Sequence, residues 1–176
     1  MKKAKSKKKK NIFFENIEIL KIAFTFALLA FAFNFIYFKI VGDDYIARSF
    51  TATLVTHILN LVSICATVKG PLIFMTGLTF DVVSDCTGIF SIIVFCSAIF
   101  AYPTQIKHKI IGLAGIPILY IMTIIRIVST AFVGLYIPIL FDFVHVVLWQ
   151  LFLILTIAIL FILWRDEVVL KGSDRS

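Results

Sequence analysis

The sequence predicts an all-α polytopic membrane protein, with about four transmembrane helices, an amphipathic outer helix and a short extracytoplasmic β-hairpin. Three observations carry this reading. Of 176 residues, 61% are hydrophobic and only 15% charged, a composition that excludes an ordinary soluble domain. Several apolar runs approach the roughly 20 residues that a helix needs to cross the bilayer. Between those runs, charge, glycine and proline gather in short segments, as they do in the loops of a membrane bundle. There is no internal repeat. Residues 11–167 read as one membrane-embedded domain, between a basic tail at 1–10 and a polar tail at 168–176, both assigned to the cytoplasm.

The elements follow in order. Seven of the 17 basic residues lie in Met1 to Lys10, where they suit acidic lipid headgroups better than nucleic acid. No signal peptide is evident, because the first apolar run, Lys21 to Val41, is a full-length span without a small-residue cleavage site. Gly42-Asp43-Asp44 closes it. In Tyr45 to Cys65, the residues Ser49, Thr53, Thr56, His57, Asn60 and Ser63 recur at spacings of three and four, the mark of one polar helix face. Ala66 to Asp85 holds Gly70-Pro71 and alternating segments that read as short strands and turns, a hairpin outside the hydrocarbon. Cys86 to Tyr102 is a short apolar helix ended by Pro103, and Ile110 to Val133 follows the basic turn Lys107-His108-Lys109. Phe143 to Trp164 is the last span. Positive charge in the lysine tail, in the 107–109 turn and after Trp164 places all three in the cytoplasm, which holds if four helices span and Tyr45–Cys65 does not.

Arg126 is the anomaly. It sits inside an otherwise apolar span, costs several kcal/mol there and cannot shed its proton. Such a charge faces a polar interior and has a partner. Counting outward from a turn near residue 105 or 106 brings Cys86 level with residue 125 or 126. A second turn near Pro138 brings His145 level with residue 131, roughly 7–8 Å of helix rise beyond Arg126. At the head of its helix, Cys86 would gain thiolate character from free backbone N–H groups and from Arg126, while Asp81 and Asp85 oppose it. A thiol, an imidazole and a fixed cation suit acyl transfer. The thiolate attacks a carbonyl, His145 handles protons, and Arg126 stabilises the oxyanion or the thiolate. Against this, Cys65 and Cys96 read as packing residues, His57 as an interfacial polar group and His108 as part of the basic turn. Arg126 could instead pair with Asp142 or a hairpin aspartate. The odd number of cysteines leaves at least one thiol free.

The stretch Asp85-Cys86-Thr87-Gly88-Ile89-Phe90-Ser91 resembles the Cys-Ser-Gly-Ile-like motif that opens a helix in exosortases and archaeosortases. Leu72-Ile73-Phe74 and Phe80-Asp81-Val82-Val83 are similar to that family's extended segment before its cysteine. Arg126, within Thr123-Ile124-Ile125-Arg126-Ile127, matches the family arginine, and His145 the family histidine. The resemblance covers roughly residues 45 to 165 and suggests a short member. It departs at Thr87 and Thr123, where the family often has serine and asparagine, although each threonine keeps a hydroxyl. The resemblance implies a cysteine transpeptidase that cleaves the carboxy-terminal sorting signals of exported proteins through a thioacyl intermediate and passes them to a lipid or other acceptor. It implies Cys86 as nucleophile, Arg126 as stabilising cation and His145 as acid and base; no metal or cofactor is expected, and the positive charges and helix counts put the site in the cell membrane on its extracytoplasmic side. Asp85, Thr87, Thr123, Ser129 and Thr130 lie where they can orient these groups. The rival expectation is a non-enzymatic, small-ligand-binding subunit of a transporter.

Overall fold

The computed structural model describes residues 2–42 and 44–171, with side chains from Ile17 onward. The side chains of the lysine tail, Asp43 and the end of the predicted carboxy-terminal tail at 172–176 lie outside the described residues. Six helices and three strands follow one another: α1 Lys2–Val41, α2 Tyr45–Leu61, β1 Ala66–Lys69, β2 Leu72–Met75, β3 Leu78–Asp81, α3 Ile89–Ala101, α4 Ile106–Gly112, α5 Ile116–Tyr136 and α6 Trp149–Trp164.

Among the described residues, three helical stretches are long and apolar enough to cross a membrane: Ile17–Val41, Ile106–Tyr136 and Pro138–Leu170. The expected fourth span is shorter than its sequence suggests. Gly88 takes φ 76°, so α3 starts only at Ile89 and has 13 residues. At 1.5 Å per residue that is about 20 Å of helix, well under the ~30 Å hydrocarbon thickness. The stretch Ile106–Tyr136 is interrupted by a 3₁₀ turn at Leu113–Gly115. Pro117, in the first turn of α5, has no N–H to donate and crowds the carbonyl four residues back.

The predicted hairpin is a three-stranded antiparallel meander in the order β1-β2-β3. Lys69 pairs with Leu72 and Met75 with Leu78, so each connection has two residues. Gly70 and Gly77 sit in those turns at φ 60° and 84°, values that a side chain rarely tolerates. The second turn, Thr76-Gly77, makes the third strand. Tyr45–Cys65 forms a helix only as far as Leu61. Ser63 takes φ 65°, Ile64 N–H reaches the Leu59 carbonyl at 3.0 Å and Ser63 N–H the Asn60 carbonyl at 3.1 Å, the left-handed stop usually made by glycine. The inner face of α2 (Thr51, Ala52, Val55, Thr56 and Leu59) is buried, while Thr53, His57 and Asn60 face outward. The Asn60 amide pins α2 to β1, donating to the Ala66 carbonyl at 3.0 Å and accepting from its N–H at 2.9 Å.

Two apolar clusters hold these parts together. One joins α2, the sheet and α5 through Val55, Leu59, Ile73, Val82, Cys86, Ile124 and Ile127. The other joins α3, α5 and the end of α6 through Phe95, Ile99, Leu119 and Trp164. Trp164 also donates from Nε1 to the His108 carbonyl at 2.7 Å. The first cluster fixes the meander against α5, at the level of Arg126.

Candidate active site

Cys86 ends a 3₁₀ turn, Ser84–Cys86, between the meander and α3. Because α3 begins three residues later, the thiol is not at a helix amino terminus, which corrects the expectation of dipole-assisted thiolate formation. The turn closes locally: Cys86 N–H donates to the Val83 carbonyl at 2.8 Å and Thr87 Oγ1 to the Ser84 carbonyl at 2.7 Å. Gly88 then lies so close to α5 that a Cβ there would collide with the Thr123 hydroxyl. Glycine is therefore required at 88 for both its positive φ and this contact. Thr123 donates to the Leu119 carbonyl at 3.0 Å and packs against Gly88 of the cysteine turn.

Cys86, Arg126, His145 and Thr130 share the wall of one small cavity with Phe80, Asp81, Val82 and Ile127. Its volume is about 10 Å³, near the minimum for a single water molecule. Arg126 is buried, with 7% of its surface exposed. Its Nη1 reaches only the Asp85 carbonyl, at 3.5 Å, a long contact for a charged donor. Its Nε is buried without a partner, and no ion pair involves it among the described residues. The alternative, a pairing of Arg126 with Asp142 or an aspartate of the sheet, is thus not formed among the described residues. Thr130 Oγ1 donates to the Arg126 carbonyl at 2.7 Å, and the Ser129 hydroxyl is shared between the Ile125 carbonyl at 2.7 Å and that of Arg126 at 2.9 Å. These two hydroxyls brace the backbone behind the guanidinium.

His145 projects from a π-helical stretch, Phe143–Leu148, ahead of α6. Such wide turns recur at functional positions because they re-aim side chains. The imidazole stacks on Phe141, with centroids 5.7 Å apart and planes 12° from parallel, and Phe141 meets Phe80 edge-on at 5.5 Å. The stack leaves Nδ1 buried and without a partner. Burial pushes the Cys86 thiol above its ordinary range; the Arg126 guanidinium and a backbone hydrogen bond at Val83 pull it back, while Asp85 and Asp81 raise it further. On balance the surroundings favour the neutral thiol over the thiolate.

The cavity opens beside a larger groove of about 520 Å³ between α3 and α6. Arg126, His145, Asp85, Ser91 and Gln150 give it polar contacts, and Phe90, Val94, Leu153, Ile154 and Ile157 line the rest. The sequence reading did not single out this groove. Gln150, a lone amide in the very apolar α6, was the available signal.

In a helical membrane protein, a buried thiol, a buried guanidinium and a half-buried imidazole thus line one small cavity. The family profile described as transmembrane exosortase matches residues 15–163, and the chain belongs to that family. It is thereby a multi-pass membrane transpeptidase of protein sorting, a family that acts on exported proteins bearing sorting signals. No curated protein and no solved structure matches it.

Proposed function

We propose that the protein cleaves the carboxy-terminal sorting signal of exported proteins by thiol catalysis and transfers the new carboxy terminus to an acceptor. The observation that supports this most is a buried guanidinium with no carboxylate partner among the described residues, sharing a cavity with a thiol and an imidazole. His145 takes the Cys86 proton as the sulfur bonds to the scissile carbonyl carbon. Arg126 faces the oxyanion that forms. As the tetrahedral species collapses, the C–N bond breaks and His145 returns the proton to the leaving amine. A hydroxyl or amine acceptor then gives its proton to His145 and attacks the thioester, which releases Cys86 when the C–S bond breaks. The groove of about 520 Å³ is lined mainly by apolar side chains, with Asp85, Ser91 and Gln150 among them, which suits a segment of apolar residues or a hydrocarbon chain. The scissile segment lies extended there, and a membrane lipid is the proposed acceptor because the groove runs between bilayer helices.

Two measurements test the scheme. With a co-expressed exported protein carrying such a signal, a hydroxylamine-labile adduct on Cys86 is expected. Replacement of His145 by alanine should slow maturation by about 10²–10⁴-fold, whereas His57→Ala should leave it unchanged; equal rates in the two variants would remove His145 from the chemistry.

The site is proposed to face the extracytoplasmic side, with α3 completing a fourth crossing. Lys107–Lys109, which form the first turn of α4 rather than the expected connecting turn, would then lie in the cytoplasm, where Lys109 Nζ caps α3 by donating to the Phe100 carbonyl at 2.8 Å. In intact cells, with Cys65 and Cys96 replaced by serine, an impermeant thiol reagent should label Asn60→Cys and spare Lys109→Cys. Labelling at 109 from outside would invert this topology.

A further inference from the structure

Arg48, in the first helical turns of α2, does not line the cavity, yet it holds the strand end that forms one wall. Its Nε donates to the Val82 carbonyl at 2.7 Å, and its Nη2 donates to Asp81 Oδ1 at 2.8 Å. Beside it, Ser84 Oγ donates to Oδ1 of the buried Asp44 at 2.8 Å. The segment leading to Cys86 is thus strapped to the start of α2 at two places. Among the described residues, Asp81 is the one acidic side chain lining the small cavity with Cys86 and Arg126. Its side chain is 49% exposed, against 21% for Arg48.

We propose that Arg48 is a positioning residue that sequesters the Asp81 carboxylate and so leaves Arg126 unpaired for chemistry at Cys86. The inference rests on the reading of Cys86 and Arg126 as the reacting pair. A carboxylate within reach of a guanidinium forms a strong charge-assisted pair, and Arg126 has nothing better than the long contact to Asp85. Released by Arg48, Asp81 would claim Arg126, cancel its charge and bring an anion beside the thiol. Both effects hold the proton on sulfur. The charged groups facing Cys86 are Asp81 and Asp85 from the strand end and turn, Arg126 from α5 and His145 from the π-helical stretch; α3 contributes none. Lysine at 48 would keep the charge but not the fork that grips Val82 and Asp81 together.

The experiment follows the alkylation of Cys86 by iodoacetamide against pH in the full-length protein, in membranes, with Cys65 and Cys96 replaced by serine. Arg48→Ala should move the midpoint upward by about one pH unit, making alkylation near neutral pH about tenfold slower. Asp81→Asn alone should move it downward. The double variant, Arg48→Ala with Asp81→Asn, should return to at least the parent reactivity. An unmoved midpoint in Arg48→Ala overturns the proposal. So does a double variant as sluggish as Arg48→Ala, since Arg48 would then act only by bracing the Val82 carbonyl. If all three shifts appear but no thioester adduct forms with a sorting-signal substrate, the electrostatic role of Arg48 holds and the transpeptidase role of Cys86 falls.

Discussion

Exchange of Cys86 for alanine should cut maturation of a sorting-signal substrate by on the order of 10⁴–10⁶-fold, the scale expected for loss of a covalent nucleophile. The protein should still accumulate in the membrane. Cys86 is 5% exposed and belongs to the apolar cluster with Val82 and Ile127, where alanine removes one sulfur atom and costs about 1 kcal/mol. Neighbouring contacts do not depend on the thiol, because the turn is closed by backbone bonds and by Thr87 Oγ1. Cys86→Ser is the sharper form of the test. Serine is nearly isosteric, but its hydroxyl is far less acidic and a poorer nucleophile. An enzyme should lose almost as much with serine as with alanine, whereas a ligand-binding transporter subunit should tolerate serine fully. Pulse-labelled precursor processing, compared at equal membrane abundance, separates the two outcomes. Full-rate maturation by Cys86→Ala would end the thiol mechanism.

Much of this arrangement is legible in the sequence, and what is not has identifiable causes. The apolar runs mark α1, α5 and α6 because hydrophobic length is a local property. The neighbourhood of Cys86, Arg126 and His145 follows from counting outward from two turns, since antiparallel arms rise equally. The start of α3 does not follow, because Gly88 reads as a permissive helix residue until its contact with Thr123 is known. Thr123 is 35 residues away in sequence, and only tertiary structure brings the pair together. The third strand depends on Thr76-Gly77, a two-residue turn hidden between apolar stretches. The π-helical stretch that carries His145 has no sequence signature, because one extra residue in a helical turn leaves composition unchanged. The Arg48 strap is equally hidden, since Val82 and Asp81 lie on a strand end whose position relative to α2 is set by the Asn60–Ala66 bonds.

Arg126→Met should separate function from stability in opposite directions. Methionine keeps an unbranched stem of similar reach and removes the charge. Maturation is expected to fall by about 10²–10³-fold, the loss seen when a donor aimed at a developing oxyanion is removed, and further if the thiol is also left less acidic. The same variant should be as thermally stable as the parent or more so. Arg126 carries a buried, unpartnered Nε and a single long contact to Asp85, and an unsatisfied buried polar group costs roughly 1–3 kcal/mol. Replacing such a charge with an apolar side chain of similar volume is often stabilising. The sign of the pH effect is also fixed. Cys86 loses its proton to become an anion, and the cation that lowers its pKa is gone, so alkylation should need a higher pH than in the parent. Arg126→Lys should recover part of the thiol shift through its charge, but less of the rate, because an ammonium cannot present the planar fork. The decisive comparison is thermal unfolding in mild detergent alongside maturation in cells. A helix-fastening role for Arg126 predicts that methionine lowers the unfolding temperature along with activity. An unpaired arginine kept for the reacting carbonyl predicts an inactive protein that is no easier to unfold, which is the trade of stability for function expected of a preorganised site.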